Sequence, residues 1–174
     1  MKALNSRSLW SRILIILGSI AMVVGAIDPM EGAMIILPSS LLVALGTGLG
    51  SSDRRLIAYR VAVFILIAFG VGAMWGLSSV GGFGGPSGRS MWWGVLILPY
   101  LIGWSMGIWG PGAPRWLLVS GIGVSLWYLV IVAKVLRHSK PDSGLVVVIV
   151  IALTSLLTIA GCIGRLTKRI PKQL

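Results

Sequence analysis

Metal, redox and acid–base chemistry have little to draw on in this chain of 174 residues, which carries one cysteine, one histidine and four acidic residues. Cys162 alone excludes an internal disulfide and any multi-cysteine metal or cluster site. His138 alone excludes bis-histidine haem ligation within one chain, and in a charged loop it reads as a solvated residue. Charge is scarce as a whole. Only 11% of the residues are Asp, Glu, Lys or Arg, against about 25% in ordinary soluble domains, too few to cover a water-facing surface. Disorder is excluded as well, because 56% of the residues are hydrophobic and an unfolded chain could not keep that surface hydrated. The chain reads as an integral membrane protein, with a single transmembrane domain over 1–174.

What is present is a series of six apolar runs, at 9–27, 33–49, 56–77, 91–109, 116–136 and 145–163. A helix rises 1.5 Å per residue, so about 20 residues cross a hydrocarbon core of about 30 Å. The runs are continuously apolar, which favours helices over the alternating strands of a porin-type barrel. Short connections rich in Gly, Pro, Ser and charge make consecutive helices antiparallel neighbours. The expected fold is therefore an all-α, six-transmembrane-helix bundle built as three consecutive antiparallel hairpins. The first run has a rival explanation as a signal peptide, since Lys2, Arg7 and Arg12 precede it and Val24-Gly25-Ala26 resembles a cleavage site. The closeness of the second run favours an uncleaved helix.

The net charge of +11 sits in segments between the runs. With six spans, both termini and the second and fourth loops share one side, which carries eleven basic residues, Arg54, Arg55, Arg60, Arg115 and Arg165 among them. The other side carries four: Arg89, Lys134, Arg137 and Lys140. Basic residues collect on the cytoplasmic side, so both termini are expected in the cytoplasm, with anionic lipid drawn to that face. Trp10, Trp109 and Trp116 then fall at the inner interface, and Trp75, Trp92 and Trp93 at the outer one. No interleaved basic–aromatic surface, zinc spacing or recognition-helix pattern occurs, so nucleic acid is not an expected partner.

Two stretches share their spacing. Met30 to Pro38 ends in Ile36-Leu37-Pro38, and Met91 to Pro99 ends in Ile97-Leu98-Pro99. Gly46 and Gly107 follow at matching distances, then Arg54 and Arg115. A duplicated hairpin, 9–55 and 56–115, would explain this, and chance in an Ile-, Leu- and Gly-rich chain would too. Pro38 and Pro99 are expected to kink the second and fourth helices, because each withholds an amide from the preceding turn. Ser39, Ser40 and Tyr100 are the nearby groups that could serve the freed carbonyls of Met34 and Val95. Gly46-x-x-x-Gly50, Gly72-x-x-x-Gly76 and Gly103-x-x-x-Gly107 provide small faces for close helix packing, within the bundle or against a second copy.

The middles of the runs hold no ionisable residue. Arg12, Arg60, Arg115, Lys134 and Arg165 lie within snorkelling reach of an interface, so a coupling carboxylate for ion-driven transport is missing. No Ser–His, Ser–Lys or zinc-protease arrangement shares a membrane depth. No cofactor or metal is expected. One polar constellation stands out: Asp28 and Glu31 open the second helix, and Arg89 lies just before the fourth. The two acids suit helix capping, while Arg89 can bridge them or complete a small extracytoplasmic polar site. The glycine-rich loop before Arg89 also reads as a flexible linker.

At Ile27-Asp28-Pro29-Met30-Glu31-Gly32 with Ile36-Leu37-Pro38, and at Gly88-Arg89-Ser90-Met91-Trp92-Trp93-Gly94 with Leu96-Ile97-Leu98-Pro99-Tyr100, the chain resembles uncharacterised bacterial multi-pass inner-membrane proteins. The resemblance spans the second to fourth helices, implies a bacterial inner membrane, and transfers no catalytic residue. Three functional readings follow from the residues. The first is a non-enzymatic accessory or assembly subunit of a larger membrane complex, its partners being lipid, other subunits or itself. The second is a small-solute transporter or channel, its path lined by Ser39, Ser40, Thr47 and Ser105. The third is a lipid-modifying enzyme, which needs Asp28, Glu31 and Arg89 to converge.

Overall fold

Asp53 shows how this chain starts a helix. Its backbone is extended and its carboxylate accepts the Arg55 N–H at 2.9 Å, supplying one of the acceptors that the first helical turn lacks. With that cap the third helix starts two residues before its apolar run, and it ends two residues after it, spanning Arg54–Ser79. It ends where Gly81 and Gly82 take positive φ angles of 88° and 78°, which only glycine adopts without strain. The Gly82 N–H then returns to the Leu77 carbonyl at 2.7 Å.

The computed structural model describes residues 6–28, 31–82, 90–138 and 145–168. Their regular structure is all helical: α1 (Ser6–Gly25), α2 (Ala33–Gly50), α3 (Arg54–Ser79), α4 (Leu98–Trp109), α5 (Arg115–His138) and α6 (Leu145–Thr167), with a 3₁₀ segment, Met91–Ile97, leading into α4. Six helical spans are long and apolar enough to cross a membrane, the fourth running from Trp92 to Trp109 across the 3₁₀ segment and α4. Ile65, Phe69, Leu126, Leu153 and Leu157 are each more than half exposed on the outside. In water such an exterior would aggregate, whereas lipid matches it.

The two prolines occupy different settings. Pro38 lies inside α2, where it leaves the Met34 carbonyl without its helical donor. The neighbouring hydroxyls serve other acceptors: Ser39 donates to the Ile35 carbonyl, and Ser40 to that of Leu37 at 2.7 Å. Pro99 instead falls in the first turn of α4, directly behind the 3₁₀ segment. The fourth run thus changes from 3₁₀ to α at its proline, a different device from the mid-helix kink its sequence leads one to expect. Arg54 and Arg115, matched in the internal spacing, each open a helix.

The most extensive packing joins α1 to α2, α3 to α4 and α5 to α6, with α2–α3 and α4–α6 contacts tying the pairs together. Met22, Ile36, Ile67, Ile108, Leu118 and Cys162 belong to one continuous buried core. Small residues set the α1–α2 distance. A Cβ on Gly46 would lie 2.9 Å from the Ser11 carbonyl oxygen, one on Gly18 2.7 Å from that of Ser39, and one on Gly50 would run into the Ser11 side chain. Ser11 donates across this seam to the Gly46 carbonyl at 2.6 Å. Gly103 meets Ile67 of α3, and Gly107 meets the Met22 methyl of α1. Around Gly72 and Gly76 a Cβ would meet nothing within 4 Å.

Candidate functional site

Of the polar constellation read from the sequence, the acids form a turn. The Asp28 carbonyl accepts the Gly32 N–H at 2.8 Å, and its carboxylate accepts the Glu31 N–H at 3.3 Å. Both acids are exposed. Arg89 lies outside the described residues. Ser39, Ser40 and Thr47, expected along a solute path, are buried and bonded to carbonyls of their own helix, Thr47 to Val43 at 2.8 Å. Ser105 of that group borders internal space.

That space is a cavity of about 60 Å³ where α4, α5 and α6 meet the end of α1. Tyr100, Trp104 and Tyr128 supply aromatic walls, and Ser105, Thr154, Ser155 and Thr158 supply hydroxyls. Long-range bonds hold the walls in place. Tyr128 donates to the Ala26 carbonyl at 2.6 Å, and the Trp104 indole donates to the Met22 carbonyl at 3.2 Å. These carbonyls belong to the last turn of α1 and the residue after it, where no further helical amide follows to claim them. Asp28, two residues beyond Ala26, lies within electrostatic reach of both phenols.

The three helices also touch one another directly. A Cβ on Gly121 would run into Ile108, with the Cys162 sulfur 3.4 Å away, and both Ile108 and Cys162 are fully buried. One turn from this contact along each helix stand Ser105, Ser125 and Thr158. Ser105 and Thr158 share a hydrogen bond of 2.7 Å. The Ser125 hydroxyl is buried with no hydrogen-bond partner among the described residues.

A second polar feature lies between α3 and the end of α4. Arg60 is 7% exposed and forks to the carbonyls of Gly107 and Pro111, at 3.0 and 2.9 Å. Tyr59 donates to the Met106 carbonyl at 2.7 Å. The last carbonyls of a helix have no intrahelical donor and carry partial negative charge, so they draw the guanidinium inward. Arg60 therefore caps α4 instead of snorkelling to headgroups as its sequence position implies. Trp109, expected at an interface, packs inward against Gly161.

The residues that sequence reasoning passed over are Tyr59, Ser125, Tyr128, Thr154, Ser155 and Thr158. A signal for the last three existed, since positions 154, 155 and 158 share one helical face in an otherwise apolar α6. No group of three His, Cys, Asp or Glu side chains comes together among the described residues. In comparisons with known proteins, the chain matches no family model, no curated protein and no solved structure.

Proposed function

We propose that this polytopic membrane protein is a non-enzymatic helical bundle serving as an accessory or assembly subunit of a larger membrane complex. The observation that carries this reading is where its buried polar groups are spent. Ser11, Tyr59, Arg60, Trp104 and Tyr128 all donate to backbone carbonyls of other helices or turns. Their hydrogen bonds hold the bundle itself, which is the work of a scaffold.

The arrangement within the reading is three consecutive antiparallel hairpins, α1–α2, α3–α4 and α5–α6. The pairs that pack most extensively support it. So does the first seam, where Ser11 meets Gly46 while Gly25 meets Gly32. A bend of α2 at Pro38 and a break before α4 at Pro99 complete this arrangement, and the matched spacing of 9–55 and 56–115 supports a duplicated hairpin. The setting is a bacterial inner membrane with both termini cytoplasmic, from the resemblance and the charge bias. A C-terminal reporter fusion is expected to be active in the cytoplasm; an extracytoplasmic signal would overturn both span count and orientation. Partners are anionic lipid at the basic face and other membrane subunits, or a second copy using the open Gly72 and Gly76 face. Asp28 and Glu31 serve a structural turn at the other face.

Purification in a mild detergent, with identification of what co-purifies, tests the assembly reading. Membrane subunits in fixed stoichiometry are expected; a lone monomer that moves solute across liposomes would overturn it. The cavity favours a second reading, a small-solute transporter, against which stands the close packing of Ile108, Gly121 and Cys162 between the same three helices.

A further inference from the structure

We propose that the cavity between α4, α5 and α6 is a binding site for a small, uncharged, hydroxylated molecule of the short-chain polyol class. The first argument is an accounting of its hydroxyls. Tyr128 is committed to Ala26, Thr154 to carbonyls of its own helix at 2.9 and 3.1 Å, and Ser105 and Thr158 to each other. Tyr100 and Ser155 are not. Both line the cavity, at 3% and 5% exposure, and neither hydroxyl has a hydrogen-bond partner among the described residues.

An unmet hydroxyl in a buried setting costs free energy, and two of them facing one cavity mark where a ligand would be held. A phenol and a serine hydroxyl each donate and accept. That pair matches a molecule whose own groups do both, which is an alcohol.

The walls decide charge and size. None of the described Asp, Glu, Lys, Arg or His residues lines the cavity, so an ion would meet no counter-charge among them, at a cost that membrane depth enlarges. Asp28 near both phenols further disfavours anions. The aromatic faces of Tyr100, Trp104 and Tyr128 suit the C–H surface of a short carbon chain. A volume of about 60 Å³ leaves room for a few water-sized groups, a two- or three-carbon polyol rather than a sugar.

Glycerol is the probe. With Cys162→Ala removing the native thiol, Ile151→Cys places a reporter on the cavity wall without touching the two free hydroxyls. Labelling by a small neutral methanethiosulfonate is followed in nanodiscs, with Leu101→Cys as a second reporter should the first variant fail to fold. Glycerol is expected to slow labelling by about tenfold at about ten times its dissociation constant. Osmotically matched sucrose, too large to enter, is expected to leave the rate unchanged. Adding Tyr100→Phe and Ser155→Ala should abolish glycerol protection while the helical spectrum and the unprotected labelling rate persist. Equal labelling with and without glycerol would overturn the site, as would no labelling at either reporter in folded protein. Protection that survives loss of both hydroxyls would overturn their role. The proposal goes beyond the assembly reading and fails separately from it, because co-purification does not depend on the cavity.

Discussion

Where α1 meets α2, Gly18, Gly46 and Gly50 bring backbone against backbone, and Ser11 reaches across to the Gly46 carbonyl. Where α4, α5 and α6 meet, Tyr100, Trp104, Tyr128 and a set of Ser and Thr side chains stand between the backbones and leave a cavity. Lipid offers no hydrophobic drive to bring helices together, so close dispersion contact and hydrogen bonds must do it. The first seam relies on contact and tolerates no added volume. The second relies on hydrogen bonds between bulky groups, whose shapes do not tile. A cavity is the geometric result of that choice.

The contrast can be broken or sharpened by mutation, read as unfolding free energies in micelles. The largest effect belongs to a third device, the charge between α3 and α4. Arg60→Ala strips the carbonyls of Gly107 and Pro111 of their donors and is expected to cost about 3 kcal/mol. Arg60→Lys should recover less than half of that, because an ammonium cannot reproduce the fork. Gly46→Val comes next, at about 2 kcal/mol, since its Cβ alone would press on Ser11 and Ile15. Thr158→Val removes the bond to Ser105 and should cost only about 0.6 kcal/mol, a typical value for such bonds in membrane bundles. If it cost as much as Gly46→Val, the two seams would not differ in kind. The smallest effect has the opposite sign. Gly72→Ala adds a methyl where nothing lies within 4 Å, and better helix propensity should gain about 0.5 kcal/mol.

The same contrast governs what could be read from the sequence. Six spans were legible because length and continuous apolarity are local properties, and Asp53 and the glycines after α3 mark their ends chemically. On the α2 side of the α1–α2 seam Gly46 and Gly50 stand out as a spacing, whereas Gly18 and Ser11 on the α1 side carry no such pattern. Arg60 was not, because its partners are main-chain carbonyls of Gly107 and Pro111, which carry no side-chain signature. Pro99 reads as a mid-helix kink and sits in a first turn, two positions that look alike in sequence. The cavity was hidden for another reason. It depends on α4 packing beside α6, a pairing across an intervening helix that no local pattern announces. The hydroxyls weighed for a path, Ser39, Ser40 and Thr47, turned out to serve their own helix.

Arg60 also carries a consequence for how the protein is made. Its two acceptors lie 47 and 51 residues later in the chain, so they do not exist when α3 leaves the ribosome. At that moment α3 would present a guanidinium to the bilayer with nothing to neutralise its hydration loss, and a charge within a span is costly to insert. Snorkelling to the headgroups is the holding state available to it. The arginine can turn inward only after α4 and the turn behind it have arrived. The third and fourth spans are thus coupled in time as well as in space, and a chain released between residues 79 and 107 would carry its third helix into the membrane unfinished.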